Sequence, residues 1–442
     1  MKKGLLLLGL LTLTLPVWSS FSIEGVLSDT CPQIHIDTVF VVNGTDGGRL
    51  SYSDTAAFRY RWTAYDREEN TLVLKEEALP VDTTWVALQD SGSQGYLLEV
   101  LKDDGVVRKW AWVFDYSRHP AVIDSVSVDT DVSDRCYFVQ LHFDIQADTL
   151  VYDTIGHAQL DFILDRTFFL TYDSTYWGSA SYLTETVTRK VGQVADYSIE
   201  SPLGNTAYTL SGDHSARTFQ IESSYTSAPF EAIAVEINPD ARVSEREAKN
   251  EKDRDASSNL KLSGSAPLVV EILSHASDAA FFYDWTLSTE KDFSNTVLSY
   301  KDPDFRYTFS EKETYYLRLQ VANSILSEDT LVTCQKERVY VVEVMESMLD
   351  VPNIFTPNGD GMNDQFKVAY RSITDFHGVV YNVWGRKVFE WTDPADGWDG
   401  TIHGKPAAEG AYFYVIKATG NDKDENGKVI EYFLRGDINL IR

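Results

Sequence analysis

An acidic loop near the C-terminus carries the residues best suited to bind a metal ion. Asn358, Asp360, Asn363 and Asp364 lie close together in the sequence Asn-Gly-Asp-Gly-Met-Asn-Asp. Closely spaced oxygen ligands suit a hard cation such as calcium. The loop is not an EF-hand, because the regular alternation of ligands and the final bidentate Glu are missing. The sequence therefore predicts either a calcium site or a turn whose Asn and Asp side chains bond their own backbone.

The common signatures of catalytic sites are missing from this sequence. It contains no His-Glu-x-x-His, no Gly-x-Ser-x-Gly and no phosphate-binding loop. The eight His residues are scattered, and none lies at metal-ligand spacing from another His or from a Cys. These observations favour a non-enzymatic protein without a cofactor. Carboxylates are so numerous that a hydrolase remains an alternative, since only the fold would reveal its acidic pair.

Two aromatic pairs offer surfaces on which a sugar ring could stack. Trp110 and Trp112 are two apart on one strand face, and Tyr176 precedes Trp177 beside a Gly. Aromatic residues in β-sandwiches also fill the core, so both interpretations stay open for these pairs. Trp62 and Trp285 recur at equivalent places in a short repeat, Ala-Phe-Arg-Tyr-Arg-Trp-Thr against Ala-Phe-Phe-Tyr-Asp-Trp-Thr, and are predicted to be core.

The chain contains three Cys residues, which leaves at least one thiol without an intramolecular partner. Cys31 and Cys136 are the candidates for a disulfide in an oxidising compartment, with Cys334 buried and free. The sequence does not settle this pairing.

Residues 1–22 read as a secretory signal peptide. Lys2 and Lys3 precede an apolar stretch that is too short to span a bilayer, and small residues follow it. Ser19 or Ser22 would suit the end of the peptide. No later apolar run approaches spanning length, so we expect an exported chain without a transmembrane segment.

The elements that hold these residues are predicted to be strands. Of 442 residues, 43% are hydrophobic and 13% aromatic, and apolar residues alternate with polar ones in segments such as 136–145, 315–321 and 339–344. This pattern predicts an all-β chain of tandem antiparallel immunoglobulin-like sandwiches. The formal charge of −28 excludes nucleic acid as a plausible partner, because a polyanion would be repelled.

The repeat and the composition divide the chain into modules. After the signal peptide (1–22), we predict an immunoglobulin-like or PKD-like sandwich (23–119), a β-rich domain of unassigned type (120–238), a charged linker (239–261), a PKD-like sandwich (262–348) and a C-terminal module (349–442). Further strands are expected at 159–164 and 232–237.

The C-terminal module carries several separated motifs in order. They are Val351-Pro-Asn-Ile-Phe-Thr-Pro-Asn-Gly-Asp-Gly, Tyr381-Asn-Val-Trp-Gly385, Gly397-Trp-Asp-Gly400 and Gly410-Ala-Tyr-Phe-Tyr-Val-Ile416, with a last strand at 437–441. The module resembles the gliding motility-associated C-terminal domain, the type B sorting domain of Bacteroidetes type IX secretion. Val383 departs from the family, which usually has a basic residue there.

The resemblance implies a sorting role for the C-terminal module. By that analogy the chain passes through the periplasm, is recognised by the type IX secretion machinery, and becomes secreted or attached to the outer membrane or cell surface. We therefore predict an exported multi-module protein that acts in binding, adhesion or structure, with a cell-surface protein or a glycan as ligand. The alternatives are a secreted hydrolase with its active site in 120–238 and a carbohydrate-binding surface protein.

Overall fold

The computed structural model of the chain is built almost entirely from β-strands, which make up 63% of it against 2% helix. The all-β fold class predicted from the sequence is confirmed. The structure describes residues 20–31, 33, 36–54, 59–66, 71–78, 83–129, 135–153, 161–243, 261–327, 330–424 and 426–442. Most of the predicted signal peptide (1–19) and most of the predicted linker (244–260) lie outside the described residues.

Module 1 is a sandwich of a three-stranded sheet, in the order β1-β4-β7, and a six-stranded sheet, in the order β2-β3-β9-β8-β5-β6. Its strands are β1 (Phe21–Glu24), β2 (Ser28–Cys31), β3 (Thr38–Val42), β4 (Arg49–Ser53), β5 (Arg59–Asp66), β6 (Thr71–Ala78), β7 (Thr83–Ala87), β8 (Ser93–Lys102) and β9 (Gly105–Asp115). Paired strands are antiparallel except β3 and β9, which are parallel. Trp62 is fully buried between the sheets, and its indole nitrogen donates to the Thr84 hydroxyl at 3.1 Å. Its predicted place in the core is confirmed.

The first strand of module 1 overlaps the predicted signal peptide. Phe21 is buried, pairs with Tyr52 and has its ring centre 5.2 Å from that of Tyr52. A cut at the predicted boundary, after residue 22, would remove Phe21 and Ser22 from this sheet, and the position of the cut stays a prediction. Of the two candidate cut sites, after Ser19 and after Ser22, the first would keep Phe21 in the sandwich.

The described part of module 2 forms nine strands and one short helix. Its sheets have the orders β10-β11-β16, β12-β13 and β15-β14-β17-β18. The elements are β10 (Ala121–Val128), β11 (Phe138–Ala147), β12 (Leu150–Asp153), β13 (Asp161–Leu164), β14 (Phe168–Trp177), β15 (Tyr182–Val191), β16 (Asp196–Glu200), β17 (Thr209–Gly212), α1 (His214–Phe219) and β18 (Ser223–Thr226). The helix begins after Asp213, whose carboxylate accepts a hydrogen bond from the Ala216 amide at 3.0 Å. The strand predicted at 159–164 corresponds to β13, with residues 159–160 outside the described part.

Modules 1 and 2 share one hydrophobic core. Side chains of β3 alternate between the two faces of the six-stranded sheet, so Phe40 points into the sandwich of module 1 while Val39 and Val41 point towards module 2. Trp112 of β9 lies on the second face and packs near Tyr152, with ring centres 6.5 Å apart. A sheet buried on both faces explains why β3 reads as a continuous apolar run. The two modules therefore form one packed unit.

Module 3 is a second sandwich, with sheet orders β19-β21-β24 and β20-β26-β25-β22-β23. Its strands are β19 (Asp240–Val243), β20 (Lys261–Ser265), β21 (Leu268–Leu273), β22 (Phe282–Ser288), β23 (Thr296–Tyr300), β24 (Phe305–Phe309), β25 (Glu313–Ser327) and β26 (Thr330–Met345). Strands β20 and β26 are parallel. Trp285 is fully buried and donates to the Asp302 carbonyl at 3.1 Å, which confirms its predicted core position.

Two sequence predictions around module 3 are wrong. Residues 240–243 form β19, which pairs with β21, so the sandwich begins inside the predicted linker of 239–261. Residues 232–237 form no strand, although their side chains from Ala232 to Val235 are buried. They are apolar because they fill the joint between modules 2 and 3.

Module 4 has a five-stranded sheet in the order β28-β35-β34-β30-β31 and two small sheets, β27-β29 and β32-β33. Its strands are β27 (Met348–Asp350), β28 (Ile354–Phe355), β29 (Ala369–Arg371), β30 (Ile373–Tyr381), β31 (Lys387–Trp391), β32 (Thr401–Ile402), β33 (Lys405–Pro406), β34 (Gly410–Lys423) and β35 (Val429–Leu440). Its separate core includes Phe366, Trp398 and Ile416. Among the described residues, no helix is long and apolar enough to cross a membrane.

Candidate functional sites

The disulfide of the chain links modules 2 and 3. Cys136 is bonded to Cys334, with Cα atoms 5.2 Å apart, and Cys31 is free. The predicted pair of Cys31 and Cys136, with Cys334 free, is therefore wrong. The physical reason is the long β25-β26 hairpin, which extends beyond its own sandwich and carries Cys334 to module 2.

Further contacts surround this disulfide. Ile233 and Val235 pack with Cys334 in a small buried cluster, and Lys336 forms an ion pair with Glu236 at 3.3 Å. The disulfide therefore closes a joint that apolar and ionic contacts also stabilise.

A polar cleft lies between modules 1 and 2. Within it the buried Arg166 guanidinium pairs with the Asp213 carboxylate at 3.3 Å and donates to the His119 carbonyl at 2.5 Å. The Ser215 hydroxyl donates to the Asp29 carboxylate at 3.0 Å, which ties α1 to β2. Asp29, Arg166 and Asp213 are therefore each engaged by a partner within the protein, which gives the cleft the chemistry of a structural contact.

Cys31 lines the same cleft but is a poor nucleophile. Burial, with a smaller effect from the negative charges of Asp29 and Asp213, raises the pKa of its thiol to about 12. At this pKa the thiol stays protonated at neutral pH. It is therefore unreactive, because the thiolate is the reactive form of cysteine.

The two aromatic pairs do not form a sugar-stacking row. Trp112 is buried in the shared core, and Trp110 is half-buried and packs against it. Trp177 packs against Tyr182 and against His275 of module 3, with the His275 ring centre 5.1 Å away. Only Tyr176 of these four is exposed. Trp112 is therefore a core residue, and Trp177 helps to join modules 2 and 3.

The acidic loop of module 4 holds three of its four candidate ligands, Asn358, Asp360 and Asp364, in hydrogen bonds within the loop. The Asp364 carboxylate accepts hydrogen bonds from the Gly359 amide at 2.7 Å and the Gly361 amide at 2.8 Å. Both glycines have positive φ, at +80° and +85°, as expected for this turn sequence.

The Asn358 and Asp360 side chains also bond within the loop. Asp360 accepts a hydrogen bond from the Met362 amide at 2.8 Å and one from the Asn358 amide group at 3.0 Å, and these bonds lower the pKa of its carboxyl. Across the part of the chain that the structure describes, no group of three or more His, Cys, Asp or Glu residues is arranged to hold a metal. Calcium binding at Asn358, Asp360, Asn363 and Asp364 stays a prediction.

A tight turn between β30 and β31 presents an unusual tryptophan. The side-chain oxygen of Asn382 accepts hydrogen bonds from the backbone amides of Trp384 at 3.1 Å and Arg386 at 2.9 Å, and the backbone amide of Asn382 donates to the Arg386 carbonyl at 3.0 Å. The Trp384 side chain is nevertheless 86% exposed. The chain therefore fixes the backbone of the turn and leaves its largest side chain in solvent.

Module 4 meets module 3 through a small polar junction. The Ser372 hydroxyl donates to the Ala266 carbonyl at 2.6 Å, and the Asn421 side chain bonds the Ser310 carbonyl. Arg371 donates to the Glu346 carbonyl at 2.7 Å. The cores on the two sides share no residue.

Two regions of the chain match known protein families. Residues 349–431 match the CHU_C type IX secretion signal domain, which confirms the resemblance found in the C-terminal motifs. Residues 127–227 match a fibronectin type III domain, which gives a class to the region that the sequence analysis left unassigned. No curated protein matches the chain.

Solved structures of other modular β proteins are similar only in a broad sense. They include three N-terminal domains of the outer capsid protein Hoc of bacteriophage RB49 (11% identity, 73% of this chain and 98% of that one, TM-score 0.20). A further example is immunoglobulin domains 1–5 of Sidekick-1 (9% identity, 95% of this chain and 76% of that one, TM-score 0.22). Another is the BSP domain of a biofilm-associated protein (9% identity, 96% of this chain and 96% of that one, TM-score 0.17). Scores this low carry no argument about function.

The two family matches define the class of the protein. A C-terminal type IX secretion signal behind immunoglobulin-like and fibronectin-like modules indicates an exported multi-domain protein, located at the cell surface or secreted. The signal domain also implies recognition by the type IX secretion machinery.

Proposed function

We propose that this chain is a stiff, non-enzymatic surface protein whose first three modules act in binding or adhesion and hold a ligand-binding surface away from the point of attachment. The observation that carries the proposal is the way these modules are joined. Modules 1 and 2 share a core, and Cys136–Cys334 ties module 2 to module 3. Interfaces between domains of one chain are usually smaller and permit relative motion, so a shared core and a covalent tie favour a spacer.

The polar cleft between modules 1 and 2 supports this proposal over a secreted hydrolase. A hydrolase needs acid and base groups free to reach a substrate. Asp29, Arg166 and Asp213 instead bond partners within the protein. We infer that the region 120–238 acts as a fibronectin-like connector and not as a catalytic domain.

Export of the full chain is the first test of this function. The full-length protein is compared with a truncation that ends at Glu346, in a host with type IX secretion, by cell fractionation and surface protease accessibility. The truncation ends before Leu349, because Leu349 belongs to the core of module 4. We expect the full chain at the surface or in the medium and the truncation in the periplasm.

Adhesion is tested on the exported chain. Cells that display the full protein are compared with cells that display only modules 3 and 4 behind the same signal peptide, for attachment to glycan and protein surfaces. Equal attachment of both would contradict a binding role for modules 1 and 2.

A further inference from the structure

Five of the large apolar side chains exposed on the described part of module 4 lie at one end of the module, and the others are Met362, Val429 and Phe433. Ile354, Val383, Trp384, Phe413 and Ile441 are each at least 47% exposed. We call this surface the distal apolar end, and its position follows from the strand register.

The register places this surface opposite the junction with module 3. Strand β30 begins directly after Ser372, which contacts module 3, and runs nine residues to the turn that holds Trp384. At about 3.3 Å per residue, the turn lies roughly 30 Å from the junction. Phe413 pairs with Tyr381 at the end of β30 that adjoins this turn.

The two remaining members belong to the same end. Gly410, at the start of β34, pairs with Leu440, and Ile441 follows immediately. Ile354 pairs with Asn439 in the parallel edge strand β28. All five residues therefore lie at the end of module 4 that is opposite its junction with module 3, and each is exposed.

Packing within module 4 does not explain Trp384. The other two tryptophans of the module, Trp391 and Trp398, are buried in its core. Trp384 lies in a turn whose backbone is fixed by hydrogen bonds to the Asn382 side chain. The backbone of this turn would therefore lose little conformational entropy if the indole bound a partner. Tryptophan is enriched among the residues that dominate binding energy at protein interfaces.

We propose that the distal apolar end is the surface by which the type IX secretion machinery recognises this chain, with Trp384 as the anchor that enters an apolar pocket of the receptor protein. This inference rests on the proposed export function. A second copy of the chain is the less favourable occupant, because a formal charge of −28 opposes close approach of two copies.

The inference is tested with Trp384→Ala in the full-length chain, expressed in a type IX-competent host. The secreted plus surface fraction is measured against the native chain and the truncation at Glu346. We expect the exported fraction to fall about tenfold or more, as for an interface hot spot. Trp384→Phe keeps an aromatic anchor and should recover part of the export.

Phe433→Ala is the matched control. Phe433 is also exposed, at 61%, but it lies in the middle of β35, paired with Lys417, whose ammonium lies 5.8 Å from its ring. We expect this variant to be exported like the native chain. Both purified variants should keep the native thermal midpoint, since surface substitutions usually change stability little.

The outcomes separate the two claims. If Trp384→Ala is exported normally while the truncated chain stays in the periplasm, the proposed recognition surface is wrong and the proposed export function stands. If the truncated chain is exported, both proposals are wrong. Equal retention of Trp384→Ala and Phe433→Ala overturns the assignment to the distal end. Dimers of the native protein that Trp384→Ala abolishes without a change in export would assign this surface to a second copy.

Discussion

The sulfur atoms of Cys136 and Cys334 join two residues that are 198 positions apart in the chain. One belongs to the fibronectin-like module and the other to the hairpin of the next sandwich. The bond therefore constrains the relative position of two modules, which hydrogen bonds within each sandwich cannot do.

Thiol counting tests this pairing. In denaturant without reductant, we expect one reactive thiol per chain, at Cys31, and a disulfide-linked peptide pair that contains Cys136 and Cys334 in a non-reducing digest analysed by mass spectrometry. Cys31→Ser should remove the free thiol and leave that pair intact. A linked pair that contains Cys31 would contradict the structure.

Removal of the disulfide should weaken the joint between modules 2 and 3. The double variant Cys136→Ser with Cys334→Ser should lose about 2–4 kcal/mol of unfolding free energy for these modules, as is typical for native disulfides. Denaturant unfolding measures the loss, and Cys31→Ser serves as the control that keeps the bond. An unchanged unfolding curve would show that the contacts of Ile233, Val235 and Lys336 hold the joint alone.

The Cys31 thiol should react slowly in the folded protein. Its pKa is raised from 9.0 to about 12, so at pH 8 it carries about a thousandfold less thiolate than an ordinary thiol. Alkylation with iodoacetamide, followed by mass spectrometry, should give a native rate lower by about that factor than the rate in denaturant.

The same shift predicts a loss of stability at alkaline pH. A thiol whose folded pKa is raised contributes stability fully below the unfolded pKa, near 9, and loses it as the pH rises towards 12. Cys31→Ala should therefore show a weaker fall in stability between pH 9 and pH 11 than the native protein. Equal falls, or a native alkylation rate close to that in denaturant, would contradict the burial of this thiol.

Local patterns in the sequence predicted the strands, the two core tryptophans and the C-terminal signal domain. The core positions of Trp62 and Trp285 could be predicted because each lies in an alternating strand with a recurring motif. The positive φ of Gly359 and Gly361 was accessible because the turn sequence demands it.

Contacts between modules were not accessible to sequence reasoning. The pairing of Cys136 depends on how far the β25-β26 hairpin extends, which no local pattern encodes. The continuous apolar run of β3 indicates a sheet that is buried on both faces. It does not indicate that module 2 is what packs on the second face. Residues 232–237 were predicted to form a strand because burial in a joint and burial in a sheet require the same apolar side chains.

Asp364 should stabilise module 4 through its own loop. Asp364→Asn replaces one acceptor oxygen by a donor, so one of the two amides of Gly359 and Gly361 loses its partner, at a cost of about 1 kcal/mol. Thermal unfolding of the full chain in EDTA measures this effect, and Asp424→Asn, in another turn of the module, is the control for a change of net charge. The calcium hypothesis predicts in addition that calcium raises the native midpoint and has a smaller effect on Asp364→Asn, whereas equal midpoints with calcium and with EDTA would contradict it.

The mature chain should begin at or before Phe21. Phe21 is buried against Tyr52 and lies 6.0 Å from the Trp62 ring centre, so a cut after Ser22 would remove a core side chain from module 1. N-terminal sequencing of the exported protein should give Ser20 or Phe21 as the first residue. Phe21→Ala should lower the stability of module 1 by about 3 kcal/mol, the usual cost of truncating a buried Phe. A mature protein that begins at Ile23 with unchanged stability would show that β1 pairing does not need this residue.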